Sequence, residues 1–330
     1  MLMKNLVANF ASQLNEAIQI GEKAVFTKPS NEIRNVLVTG LGGSGIGGTI
    51  ISQATAREMN VPLLVSKDYF IPGFVNRHTL VIVSSYSGNT EETLQAMEAA
   101  MEKNAKVICV TSGGKILELA RKNNFDHIII PGGMPPRSCL AYSMTQLFYV
   151  LEGYSLISSS YRNDLKKSVT LLQTEQEPIM QSARALAEKL VHKIPVIYAA
   201  ADYEGAAIRF RQQINENSKM VCWHHVLPEM NHNELVGWTE KNEDLAVVML
   251  RNTDDYNRTQ KRMEITGDVI RKYTPHYFEV WGKGESRLEK TFYLIHFGDW
   301  VSWYLSEIKN IDATEVNVID FLKGSLATLK

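Results

Sequence analysis

The chain has 330 residues, 45% of them hydrophobic and 22% charged, enough for two ordinary domains with a sizeable core. A formal charge of −1 provides no basic field for nucleic acid or an anionic membrane surface. No run approaches the roughly 20 apolar residues of a membrane span. The segment Met1–Asn5 lacks the charged-then-apolar layout of a signal peptide. Cys109, Cys139 and Cys222 are too few and too scattered for a disulfide framework, which implies reduced thiols and a cytoplasmic address.

From about residue 4 to 24 the spacing of Leu6, Phe10, Leu14 and Ile18 predicts an amphipathic lead-in helix. Apolar strands and helical patterns then alternate. Strands are expected at Asn35–Thr39, Val61–Ser66, Leu80–Ser84, Lys106–Thr111 and Asp126–Ile130, with helices at Gly45–Met59, Thr90–Asn104 and Lys115–Asn123. Few hairpin signals intervene, so the pattern argues for a parallel sheet covered by helices on both faces. Helices from Gln146 to Leu190 lead to a second alternating block. Its expected strands are Pro195–Ala200, Met220–Trp223, Leu245–Leu250 and His276–Trp281, and its helices Gly205–Asn217, Asp255–Lys272 and Leu288–Ile308. The reading is a duplicated α/β unit, residues 1–150 and 151–330, each a doubly wound three-layer αβα arrangement. The second copy lacks the glycine-rich loop of the first. A tail helix carrying Ile319, Leu322, Leu326 and Leu329 ends the chain.

Two loops carry the chemistry. Gly42-Gly43-Ser44-Gly45-Ile46-Gly47-Gly48 and Ser84-Ser85-Tyr86-Ser87-Gly88-Asn89-Thr90 each follow a β-branched run and precede a helix. Free N–H groups at a helix start attract anions, and glycine permits close approach. Strand ends of a parallel sheet open onto one crevice, where the hydroxyls of Ser85, Ser87 and Thr90 suit a phosphate monoester held by neutral donors. Gly43–Gly48 also satisfies the dinucleotide fingerprint, with Asp68 about 25 residues on as the ribose acid. The hydroxyl-rich loop is something a dinucleotide does not require. Glycines that merely let a helix pack on a strand are the plainer alternative.

At Ser85-Tyr86-Ser87-Gly88-Asn89-Thr90-Glu91-Glu92 the chain resembles the sugar isomerase (SIS) domain family. Gly42–Gly48, Pro135-Pro136-Arg137, Asn215-Glu216-Asn217 and Asn231-His232-Asn233-Glu234 narrow the likeness to the bifunctional phosphoglucose/phosphomannose isomerases, a branch of the phosphoglucose isomerase superfamily. The resemblance runs from the lead-in helix to Lys323. It implies two SIS subdomains and interconversion of aldose and ketose hexose 6-phosphates with neither metal nor organic cofactor. The phosphate pocket falls on Gly43, Ser44, Ser85, Ser87 and Thr90. The general base falls on Glu216, the active-site arginine on Arg137 and the C-terminal lysine on Lys323. The ring-opening histidine falls on His232 of a neighbouring subunit, so a homodimer with shared sites is implied. Asp312-Ala313-Thr314-Glu315, ahead of Lys323, departs from the proline-containing pattern of this branch.

These residue types suit the chemistry. Moving a carbonyl between C1 and C2 needs one carboxylate that can carry a proton across a cis-enediol. A fixed guanidinium stabilises the enediolate oxygen as charge develops, and the two prolines ahead of Arg137 would pre-organise it. Opening the hemiacetal needs a group that donates and accepts near neutral pH, as histidine does. Taken without the resemblance, each residue has a plainer reading. Glu216 is a solvated helix-end carboxylate paired with Lys219. Arg137 belongs to a rigid surface loop, His232 is structural, and Lys323 is exposed on an amphipathic tail. His224, His225, Glu229 and His232 could be metal ligands, although their spacing matches no standard pattern. A non-catalytic sugar-phosphate-binding regulator is the second reading of the whole chain, and an NAD-dependent dehydrogenase the third.

Overall fold

The computed structural model describes residues 2–326 and 328; Leu329 of the expected tail stripe lies outside them. The lead-in segment is two helices, α1 (Leu2–Ala8) and α2 (Phe10–Glu22), interrupted at Asn9 rather than continuous. Phe10, Leu14, Ala17 and Ile18 are buried on the inner face of α2. The first α/β block follows as β1 (Asn35–Thr39), α3 (Gly42–Thr55), β2 (Leu63–Ser66), β3 (Thr79–Ser85), α4 (Glu91–Glu102), β4 (Lys106–Thr111), α5 (Gly114–Lys122) and β5 (Asp126–Ile129). Connecting helices α6 (Leu140–Gly153), α7 (Tyr161–Thr174) and α8 (Gln176–Leu190) lead to β6 (Ile194–Ala200), α9 (Glu204–Ser218), β7 (Trp223–Leu227), β8 (Leu245–Arg251), α10 (Asn257–Ile270), β9 (Tyr277–Trp281), α11 (Arg287–Ile308) and α12 (Asn317–Leu326).

The first sheet has strand order β2-β1-β3-β4-β5 and the second β7-β6-β8-β9. Every strand pair in both is parallel. Strands buried on both faces read as unbroken apolar runs, which is why β1 and β4 start and stop where the sequence predicts. In the order 2-1-3-4-5 the connections leave β1 in one direction and β3 in the other. A crevice opens beyond the carboxyl ends of this pair. Register pairs Thr39 with Val83, so the chain emerging at Gly40 and the chain emerging at Ser84 stand side by side.

Two further expectations need correction. The glycine-rich loop is not a loop before a helix: α3 begins at Gly42, and Ser44 to Gly48 are buried in its first turns. A Cβ on Gly45 would strike the Gly40 carbonyl, one on Gly48 would press on Val38 and Val65, and one on Gly47 would lie 3.5 Å from Met144. Close packing of α3 on β1 and α6 thus accounts for those three glycines. The strand expected at Met220–Trp223 is instead β7, Trp223–Leu227. Lys219, at φ 52°, ends α9 in the left-handed region, and residues 220–222 serve as the link to the strand. His224 and His225 mask β7 in the sequence, because an edge strand has no need of an apolar run on both faces.

A contiguous buried core joins the halves, from Met3 and Phe10 through the inner faces of both sheets to Trp300 and Ala313. Its centre is α11, buried along nearly its whole length. Ser286 starts that helix with a reciprocal capping box to Glu289. Gly205 lets α9 approach Ile50 of α3, and Gln53 accepts from the Gly205 N–H at 2.9 Å. This contact fixes the start of α9 against α3, and the far end of α9 is tied to the first block where Asn217 accepts from Arg137.

Candidate active site

The hydroxyl loop Ser85–Thr90 turns through Gly88, at φ +68°, where a Cβ would collide with the Gly113 carbonyl. Ser85 Oγ and Thr90 Oγ1 are 3.0 Å apart, and the Asn89 N–H donates to Ser87 Oγ at 3.3 Å. Thr90 occupies the N-cap position of α4, yet its hydroxyl makes no capping bond. Ser44 sits in the first turn of α3, beside Ser84 at the adjacent strand end. Gly43 and Ser44 at the start of α3, and Ser85, Ser87 and Thr90 ahead of α4, therefore lie past the neighbouring ends of β1 and β3. A cation that the sequence reading missed runs along the same helix start: Lys67, just past β2, lies with its Cε 3.5 Å from where a Gly45 Cβ would be.

Pro136 opens a 3-10 turn, Pro136–Ser138, that carries Arg137. Gly43 touches this turn: a Cβ there would lie 3.2 Å from the Pro136 carbonyl oxygen. The Tyr86 hydroxyl accepts from the Met134 N–H at 3.1 Å, tying the proline loop to the hydroxyl loop. Arg137 is buried, and its Nε donates to Asn217 Oδ1 at 2.8 Å. One terminal nitrogen donates to the carbonyls of Ala313 and Thr314 at 2.6 and 2.9 Å. The other lies 3.6 Å from the Glu216 carboxylate. Burial pushes the guanidinium below its ordinary pKa, and Glu216 pulls it back up. The side chain of Arg137 is 5% exposed and that of Glu216 30%, so a fixed cation faces a carboxylate that an incoming molecule can reach.

The observed partners of Glu216 differ from those the spacing suggests. Lys219 donates to the Glu216 backbone carbonyl at 2.6 Å rather than to its carboxylate. Asn215 donates to the Met220 carbonyl, and Asn217 bridges Arg137 and Ser302. Neither asparagine orients the carboxylate directly. Behind Arg137 lies a buried pair the sequence reading also missed. Arg209 donates to both carboxylate oxygens of Asp299, at 3.1 and 3.0 Å, and to the Arg137 carbonyl at 2.5 Å. An aspartate midway along the apolar α11 was the available signal.

His232 ends a 3-10 turn, Glu229–His232, just past β7. Its neighbours are all engaged: Asn231 with Thr266 and Arg262, Asn233 with Glu229, and Glu234 with Tyr198 and Trp223. His232 is exposed and, among the described residues, makes no side-chain hydrogen bond. Lys323 is likewise exposed, on α12, which buries none of its residues. The structure therefore joins Glu216, Arg137 and the hydroxyl loops within the chain and leaves His232 and Lys323 on its surface. Of the four residues weighed as metal ligands, His224 lies 3.7 Å from Glu204, His225 accepts from the Val226 N–H, Glu229 accepts from Asn233, and His232 is open to solvent. Among the described residues no group of three histidine, cysteine or acidic side chains is set to hold a metal ion. Asp68, the ribose acid of the dinucleotide reading, is exposed and accepts from the Tyr69 N–H.

With this geometry in hand, relatives decide the family. A protein from Caldicellulosiruptor bescii named bifunctional phosphoglucose/phosphomannose isomerase is 38% identical, the alignment covering 98% of each chain. The chain belongs to the family of bifunctional phosphoglucose/phosphomannose isomerases. A member from Aquifex aeolicus is 33% identical over 89% of this chain and 90% of its own. The bacterial phospho-glucose isomerase C-terminal SIS domain model matches residues 179–326. The fold is shared more widely. The C-terminal domain of glucosamine-fructose-6-phosphate aminotransferase from Francisella tularensis superposes with a TM-score of 0.76 at 12% identity, covering 96% of this chain and 98% of that one. Tagatose-6-phosphate ketose/aldose isomerase from Escherichia coli gives 0.65 at 16% identity, covering 95% and 90%.

Proposed function

We propose that this protein interconverts glucose 6-phosphate, and mannose 6-phosphate, with fructose 6-phosphate through a cis-enediol. The supporting observation is the 3.6 Å approach of the buried Arg137 to the partly exposed Glu216, beside the helix start that bears Ser44. Phosphate binds at Gly43, Ser44, Ser85, Ser87 and Thr90, which fixes the sugar's far end and presents C1 and C2 to Glu216. The carboxylate takes the proton from one carbon and returns it to the next. Arg137 stabilises the enediolate oxygen, and its hydrogen bonds keep it from reorganising as charge develops. The reaction moves hydrogen within one molecule and has no net redox change, so it calls for no electron-accepting cofactor. Both aldoses share the same enediol, which supports the double specificity.

His232, presented with its neighbours engaged and its ring open, opens the hexose ring in the site of a second protomer. Lys323 assists at the ring oxygen. The working unit in this reading is a homodimer, each chain comprising SIS units divided near residue 150. The described helices include none long and apolar enough to cross a membrane. Cys109, Cys139 and Cys222 are buried and unpaired, and burial pushes the Cys109 and Cys222 thiols up to about 12; these features suit a reducing cytoplasm. The test is a coupled assay of the purified protein with fructose 6-phosphate, run for glucose 6-phosphate and for mannose 6-phosphate formation. Formation of both supports the reading, and binding of fructose 6-phosphate without turnover supports the sensor alternative.

A further inference from the structure

Lys219 closes the helix that carries Glu216, in a left-handed conformation at φ 52°. Its ammonium donates to three backbone carbonyls: Glu216 and Glu315 at 2.6 Å each, and Asp312 at 3.1 Å. Arg137 donates to the two carbonyls between, Ala313 and Thr314. Four consecutive carbonyls, from Asp312 to Glu315, are therefore held by two cationic side chains. At the same helix end, Lys309 donates to the Ser218 carbonyl at 2.8 Å. Cations at the C-terminus of α9 satisfy carbonyls that the helix cannot and oppose its dipole. A capping role alone, however, would not require the second and third bonds of Lys219, which reach across to a segment 93 and 96 residues away.

We infer that Lys219 is a positioning residue for the isomerisation: it fixes the end of α9 bearing Glu216 and, with Arg137, clamps Asp312–Glu315 across that end as a strap. The inference rests on Glu216 being the base. The ammonium acts on the carboxylate only through the backbone, by fixing where the last turn of α9 and the strap sit relative to Arg137. Three carbonyls fill the three donors of the ammonium, so its position is set by geometry and no fourth partner is needed. Burial and the nearby Arg137 push the ammonium below its ordinary pKa.

Two variants separate this from simple capping. Lys219→Met keeps the stem and removes the ammonium. Lys219→Gly also suits the left-handed backbone and, as a helix C-cap, preserves or raises stability. Both are compared with the parent and with Glu216→Gln. The readouts are kcat and KM for fructose 6-phosphate and the rate of cleavage after Glu315 by a glutamate-specific protease, with melting temperature followed throughout. The expected result for Lys219→Gly is kcat lowered about tenfold with KM within about threefold. Cleavage after Glu315 should rise about fivefold or more with no loss of melting temperature. Parental kcat and parental cleavage in Lys219→Gly, with Glu216→Gln inactive, would overturn the inference and leave the base assignment standing. Full turnover in Glu216→Gln would overturn both.

Discussion

Arg137 donates from Nε to Asn217 Oδ1 at 2.8 Å, and Asn217 in turn donates to Ser302 Oγ at 2.9 Å. The buried guanidinium is thereby anchored to α9 and through it to α11, while another of its nitrogens faces Glu216. Replacing Arg137 by lysine removes the fork and leaves buried acceptors without donors. Stability in urea should fall by about 2–4 kcal/mol. Turnover should fall about 100-fold or more in the coupled assay. Parental turnover in a folded Arg137→Lys protein would show that the cation only supports the fold.

Thr90 bears one of the two paired hydroxyls over the α4 start and makes no capping bond there. Thr90→Ala should therefore leave the melting temperature close to parental. It should raise KM for fructose 6-phosphate about 3- to 10-fold, the worth of one neutral hydrogen bond, with kcat nearly unchanged. Competitive inhibition by inorganic phosphate should weaken by a similar factor. A kcat effect without a KM effect would place the phosphate elsewhere.

His232 offers a test that needs two inactive proteins. If its ring serves the partner's site, Glu216→Gln and His232→Ala each abolish turnover alone. A heterodimer of the two then has one doubly altered site and one intact site. After equal mixing, dissociation and reassociation, activity should return to about a quarter of parental, since half the dimers are mixed and each has one good site of two. No recovery in demonstrably mixed dimers would put His232 and Glu216 in the same chain's site.

The parts of this architecture that the sequence discloses are those with a side-chain signature. The strands β1 and β4 show as apolar runs, the hydroxyl loop as a cluster of serines and threonine, and Arg137 through the two prolines before it. What stays hidden is backbone. The partners of Arg137 and Lys219 on the strap are carbonyls, which every residue carries. That is why Asp312–Glu315 can depart from the family's proline-containing pattern and still be gripped. Lys219 three residues after Glu216 looks like a side-chain ion pair, because sequence spacing cannot tell a carboxylate from a carbonyl. β7 hides because an edge strand bearing two histidines lacks the run that marks a buried one.

Two buried groups set opposing pH dependences. His296 is fully buried, stacked on Phe10 at 5.5 Å between ring centroids, and its pKa is pushed down to about 3 by burial. The unfolded chain therefore binds a proton that the folded one refuses; this stabilisation is present above the ordinary histidine range and lost as pH falls towards 3. Asp255 is pushed up to about 6 by burial, so the folded chain takes its proton first and stability rises as pH falls from about 6 to 4. Between those pH values the two slopes cancel. Asp255→Asn removes one of them, and its stability should fall by about 2–3 kcal/mol from pH 6 to pH 4 relative to the parent's own change. Urea unfolding at pH 6, 5 and 4 measures this; parallel curves for the two proteins would contradict it.

The account depends most on Glu216 carrying the proton between adjacent carbons. The most direct measurement is kcat of Glu216→Gln with fructose 6-phosphate in the coupled assay, alongside substrate binding by calorimetry. The expected result is turnover reduced about 1,000-fold, as for loss of a general base, with affinity within about threefold of parental. Parental turnover in the Glu216→Gln protein would contradict it.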